Sequence, residues 1–297
     1  MKVKGLLKSA WQIVWRNPIL WLFGFLAGFL ANNEINLIVI NLKRFINWIN
    51  QIIILRSFKL NLGSFLNNIN YSSKDNYRFF IIIFFALILI YLSFKSQIAI
   101  INAVVKRSFS FKILLGDKNN NPFYRVLFIY LIFWISILIF FFILGIPFIQ
   151  NLPIPILIYI IVFILLVLLF SFISRFATLF LVIKKNNFLE SIKNSFSFFF
   201  NNFFLIIKTL IILTLVVLLV GLIALLFSIG MASPFIFLLN LSLKLNFHFV
   251  YSLISIIYSF CLLGLILIIN SIISSWQISV WILLFQKIDD NKINNIG

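Results

Sequence analysis

Acid–base, nucleophilic and metal chemistry all need particular side chains, and this 297-residue chain holds few of them. It has one histidine, His248, one cysteine, Cys261, and six acidic residues. His248 has no carboxylate or cysteine near it in sequence, so it reads as a surface or interfacial histidine rather than a base or ligand. A lone cysteine builds neither an intrachain disulfide nor a metal cluster. Asp289 and Asp290 are adjacent, which on a helix sets them about 100° apart; they read as a solvated tail, not a metal pair. No Gly-rich phosphate loop, zinc spacing or Ser/His/Asp set occurs. The expectation is a non-enzymatic protein without cofactor or metal.

Polar residues with helical spacing are the other candidates. Three apolar runs carry them near one end. The first has Ser93, Ser96 and Gln97, with Lys95 and Asn102 beside them. The second has Ser171, Ser174, Arg175 and Thr178, and the third Asn270, Ser274 and Gln277. Three such stripes can converge on one polar pocket facing the cytoplasm, with Lys95 and Arg175 suited to an anionic headgroup or solute. They can equally mark where helices enter water, or hydrogen-bond between helices. Both readings stay open at this level.

The elements that would position these residues are membrane helices. The chain is 63% hydrophobic and only 10% charged, with a mean hydropathy of +1.17. Soluble domains are about 45–50% apolar and about 25% charged. No charge falls between Val126 and Ile149, nor between Pro153 and Ser174, and the polar break Gln150-Asn151-Leu152-Pro153 separates the two runs. Each exceeds the roughly 20 residues that cross about 30 Å of hydrocarbon as a helix. Neither alternates polar with apolar, which argues against barrel strands. The predicted fold is all-α: one polytopic transmembrane bundle over residues 1–297. Its six crossings are expected near residues 10–31, 79–102, 126–149, 153–174, 203–228 and 250–285, with a loop from Gly230 to Phe249.

Residues 35–55 read as an interfacial amphipathic helix, with Leu42, Phe45, Ile46 and Ile49 on one face and Lys43, Asn47 and Asn50 on the other. A crossing there would place Lys43 and Arg44 in mid-bilayer, at about 2.5–3.5 kcal/mol each. The net charge of +18 resides in the gaps between apolar runs, so it bears on lipid headgroups and orientation and not on nucleic acid. Most basic residues fall on the side shared by both termini. The positive-inside rule then puts both termini in the cytoplasm of a cell with this protein in its plasma membrane.

The crossings divide into three pairs, and the odd-numbered ones begin alike: Asn17-Pro18, Asn121-Pro122 and Asn201-Asn202. Ser9–Trp15 aligns with Asn194–Phe200, aromatic and amphipathic in both. Either this is an internal repeat, or Asn and Pro are simply favoured where helices start. Through Trp11, Trp15-Arg16-Asn17-Pro18, Leu20-Trp21-Leu22-Phe23-Gly24 and the aromatic segment 175–202, the chain resembles bacterial six-helix membrane proteins related to the membrane domain attached to some glycerophosphoryl diester phosphodiesterases. The resemblance implies a membrane module. It does not bring the phosphodiesterase chemistry, which needs several histidines and acids that this chain lacks.

Two functional expectations follow. One is a non-enzymatic module that associates with membrane lipids, anionic headgroups at the cytoplasmic face above all, or with other membrane proteins. The other is a small transporter or permease subunit with the stripes lining its path. The absence of any acid inside a crossing argues against carboxylate-coupled transport.

Overall fold

A computed structural model describes residues 3–31, 76–109, 122–149, 156–244 and 248–294. The described residues form eight helices and no strand. In chain order they are α1 (Val3–Arg16), α2 (Ile19–Ala31), α3 (Asn76–Lys106), α4 (Phe123–Ile149), α5 (Ile156–Ile183), α6 (Phe188–Asn201), α7 (Phe203–Lys244) and α8 (His248–Asn294). Five of them, α3, α4, α5, α7 and α8, are long and apolar enough to cross a membrane. α2 is a shorter apolar helix. The expected interfacial helix at residues 35–55 lies outside the described residues.

The segment expected as one crossing at 10–31 is two helices. α1 buries Val3, Leu6, Ala10 and Val14, a stripe at helical spacing, and exposes Lys4, Lys8, Trp11 and Trp15. Pro18 ends it. Proline has no N–H to continue the ladder and disfavours helical backbone at the residue before it. Asn17 closes α1 by donating its Nδ2 to the Ile13 carbonyl at 2.7 Å, and its own carbonyl accepts the Leu20 N–H at 2.9 Å to begin α2. Trp21 secures the corner, donating its Nε1–H to the Val14 carbonyl at 3.0 Å.

α2 is gripped between α3 and α8. Ser275 of α8 donates its hydroxyl to the Leu20 carbonyl at 2.6 Å, and Ser271 donates to the Trp21 carbonyl. On the α3 side, Ser93 donates to the Ala27 carbonyl at 3.4 Å. Two glycines one turn apart let the backbones approach. A Cβ on Gly24 would collide with the Ser275 hydroxyl and the Ser271 carbonyl, and one on Gly28 would stand 2.8 Å from the Ser274 hydroxyl. Small residues against small residues are how helices associate where lipid removes the hydrophobic drive.

α5 extends to Ile183, nine residues past the end expected at 174, so Arg175 and Thr178 sit within a helix rather than at its exit. α6 starts at Phe188, where the Glu190 carboxylate accepts the Asn187 N–H at 3.4 Å, and it buries Ser191, Ser195, Phe198 and Phe199. α7 continues to Lys244 through Pro234, where a loop from Gly230 was expected. Its 42 residues span about 63 Å at 1.5 Å each. Membrane helices tolerate proline because neighbouring groups re-satisfy the freed carbonyl.

Burial is concentrated at one end. The main cluster joins Leu20 and Phe23 of α2, Ile100 of α3, Phe176 of α5, and Trp281 and Phe285 of α8. A second joins Phe94 of α3, Val126 and Ile129 of α4, and Ile173 of α5, with Ile192 of α6 against it. This end carries Lys106 and Arg107 at the end of α3, Lys184 and Lys185 just past α5, and Lys287 in the last turns of α8, and is called the basic end below. Elsewhere α3, α4, α7 and α8 expose large apolar side chains such as Phe84, Leu138, Leu222 and Phe260, the surface that a hydrocarbon solvent accepts. The chain is a helical membrane protein.

Candidate functional site

Two concave features lie at or near the basic end. The first is a partly open cavity of about 60 Å³ lined by α3, α4, α5 and α8. At roughly one water per 10–15 Å³ of such space, it has room for a few waters or one group of similar bulk. Gln97 comes to it from α3, Tyr130 and Trp134 from α4, Ser171 and Arg175 from α5, and Trp281 from α8.

The geometry there is specific. Tyr130 donates its hydroxyl to Gln97 Oε1 at 3.3 Å, and its ring packs on Phe94 at 5.0 Å. The Arg175 guanidinium carbon stands 5.3 Å from the Trp281 ring centre, a cation–π distance. Trp281 is fixed in turn by Phe172 and Phe176, at 5.5 and 6.1 Å. Ser174 and Thr178 turn their hydroxyls back onto their own helix, to the Ser171 and Ser174 carbonyls at 2.9 Å each, so those two protons are committed locally. Gln97 is only 4% exposed, and its Nε2 has no hydrogen-bond partner. A buried amide left this way costs about 1–3 kcal/mol.

The structure therefore brings Gln97, Arg175 and Thr178 together and leaves the other expected pocket residues elsewhere. Lys95 is half-buried, 5.0 Å from the Tyr91 ring. Asn102 and Gln277 are half-buried away from the cavity lining. Asn270 is exposed and stands beside Gly28; Ser274 donates to the Asn270 carbonyl at 2.7 Å and faces the same glycine. Of the third stripe, Asn270 and Ser274 stand against Gly28 of α2, and Gln277 does not line the cavity. Tyr130, Trp134 and Trp281 were not anticipated, because aromatic residues are 18% of this chain and none stands out by spacing.

The second feature is an open groove of about 690 Å³ at the basic end, between α1, the end of α3 and the last turns of α8. Gln12 and Arg16 line it from α1, Arg107 from the turn after α3, and Gln286, Lys287 and Asp290 from α8. Among the described residues, the groove's lining holds three cations and one carboxylate. Arg107 has a left-handed backbone, φ 49°, which turns the chain out of α3. Beside the groove, Trp11 and Trp15 stack at 5.4 Å and are 44% and 55% exposed. Trp276 braces α1 from below, donating its Nε1–H to the Leu7 carbonyl at 3.2 Å. These basic residues entered the sequence reading only as part of the charge between apolar runs, set against headgroups and orientation, and not as one site. What gathers them is the corner at Pro18, which lays α1 against α8.

Among the described residues, no three of His, Cys, Asp and Glu come together as metal ligands. No protein family, curated protein or solved structure matches the chain.

Proposed function

We propose that the protein is a non-enzymatic multipass membrane module that holds anionic lipid headgroups at its basic end, with that end and both termini in the cytoplasm and the bundle in the plasma membrane. The observation that carries this reading is the groove lined by Arg16, Arg107 and Lys287 beside exposed Trp11 and Trp15. Basic residues near an anionic bilayer surface contribute about 1 kcal/mol each, and tryptophan favours the headgroup level. α1 and α6 supply the flat, amphipathic elements that such a surface binds. The likeness of the α1–α2 corner to the phosphodiesterase-linked membrane domain belongs to the same proposal.

A permease is the less favoured reading. Its path would need the three polar stripes in one channel, but the serines of α8 face the glycines of α2, and the small cavity has room only for a few waters.

The test uses protein reconstituted in vesicles containing brominated phosphatidylglycerol or brominated phosphatidylcholine at equal fractions. Tryptophan emission should be quenched more by the anionic lipid. The excess should disappear in the triple variant Arg16→Gln/Arg107→Gln/Lys287→Gln and shrink at high salt. Equal quenching by both lipids in the unmodified protein would rule out selective headgroup binding.

A further inference from the structure

We propose that the cavity between α3, α4, α5 and α8 is a second binding site, for an oxyanion of phosphate chemistry. Gln97 supplies the first reason. Its amide nitrogen is buried without a partner although its oxygen is held by Tyr130. Buried polar groups are nearly always satisfied, and an acceptor placed in the cavity that Gln97 lines would satisfy this one. Arg175 supplies the second. It is a cation among the described lining residues, which include no carboxylate. Trp281 holds the guanidinium by its ring face, and the planar guanidinium presents paired N–H donors that match a phosphate.

Size and depth agree. A space of about 60 Å³ accepts a few oxygen-sized groups, which is one phosphate. Arg175 lies eight residues before the end of α5 at Ile183, about 12 Å inward at 1.5 Å per residue. A phosphate there sits just below the basic end, within reach of a lipid entering sideways or of a free anion entering from the aqueous side. The site does not rest on the basic groove, since the two share no residue.

Protein in dodecyl maltoside micelles is titrated with inorganic phosphate, and separately with dioleoyl phosphatidylglycerol against dioleoyl phosphatidylcholine. The midpoint of thermal unfolding and the tryptophan emission are recorded. At least one of the two phosphate-bearing probes should raise the midpoint saturably and shift the emission beyond the phosphatidylcholine control. A response to inorganic phosphate assigns the free anion; a response to phosphatidylglycerol alone assigns the lipid. Gln97→Leu should weaken that response about tenfold or more, the effect of one lost hydrogen bond to a charged group, while unfolding no earlier than the unmodified protein without ligand. Arg175→Lys should weaken it too, and should Arg175→Lys fail to fold, Gln97→Leu still decides. The triple groove variant should respond like the unmodified protein. If neither probe acts, or if Gln97→Leu responds undiminished, the cavity is a water pocket and the proposal fails.

Discussion

Asn17 and Asn202 are bonded alike. Each donates its Nδ2 to the carbonyl four residues back, Asn17 to Ile13 at 2.7 Å and Asn202 to Phe198 at 2.9 Å. Each backbone N–H reaches the carbonyl three back at 3.3 Å. The register that superposes them also pairs Leu6, Ala10 and Val14 of α1 with Ser191, Ser195 and Phe199 of α6, and all are buried. A short amphipathic helix, an asparagine corner and a membrane helix therefore occur twice. It is the same alignment that the sequence offers between Ser9–Trp15 and Asn194–Phe200. For the third start, at Pro122, the carbonyl accepts the Val126 N–H at 2.9 Å, while Asn121 lies outside the described residues.

The corners should cost similar amounts when broken. Asn17→Ala and Asn202→Ala each remove one side-chain hydrogen bond to a helix-end carbonyl, worth about 1 kcal/mol. The double variant should show the sum of the two, because the sites share no partner. Chemical unfolding in micelles measures this; a clearly larger loss at one corner would show that the two are not equivalent.

The glycine seat makes a graded prediction. Gly24→Ala meets backbone at Ser271 as well as the Ser275 hydroxyl, so α2 must shift, at about 1–3 kcal/mol. Gly28→Ala meets a rotatable serine hydroxyl at 2.8 Å and should cost less. Gly221→Ala, with open space around it, should be neutral or slightly stabilising. Unfolding midpoints ranked in any other order would contradict this packing.

Just past α3 and α5 stands a basic residue with left-handed backbone, Arg107 at φ 49° and Lys185 at φ 56°. Non-glycine side chains are strained there by about 1 kcal/mol. Lys185→Gly should therefore stabilise the fold by up to about 1 kcal/mol, less whatever its charge contributes at the helix terminus. A lower unfolding midpoint for Lys185→Gly would mean that the charge outweighs the strain.

The neighbouring ion pair, Lys184 Nζ to Asp289 Oδ1 at 2.6 Å, ties α5 to α8 with side chains 36% and 23% exposed. Pairs this wet contribute about 0–1 kcal/mol. Asp289→Asn should leave stability within that range and membrane insertion unchanged, as measured by unfolding and by yield from the membrane fraction.

The helical membrane class was legible because apolar runs of bilayer length admit few other structures. The boundaries were less so. Ala10–Trp15 was drawn into the first crossing because Pro18–Ala31 alone is short, yet α1 is a separate helix whose apolar stripe packs on α8. Gly230 and Pro234 read as loop residues; in an apolar setting the helix carries on through them. The stripe at Asn270, Ser274 and Gln277 left pocket wall and helix packing both open, since polar residues at helical spacing appear the same facing water or facing glycine. Asn270 and Ser274 stand beside Gly28, and Ser271 and Ser275 beside Gly24; the two glycines are a turn apart on α2, and that spacing is the signal which identifies the seat. Gln97, Arg175 and Thr178 do meet, while Lys95 does not join them, because it sits on another face of α3.

The account depends most on the basic end occupying one side of a membrane. Single cysteines introduced as Lys8→Cys, Lys185→Cys, Lys287→Cys and Lys244→Cys, in a Cys261→Ser background, can be labelled with an impermeant maleimide in intact cells and in inverted vesicles. The first three should react only in inverted vesicles, and Lys244→Cys, at the far end of α7, only in intact cells. Reaction of Lys185→Cys from the opposite side to Lys8→Cys and Lys287→Cys would contradict it.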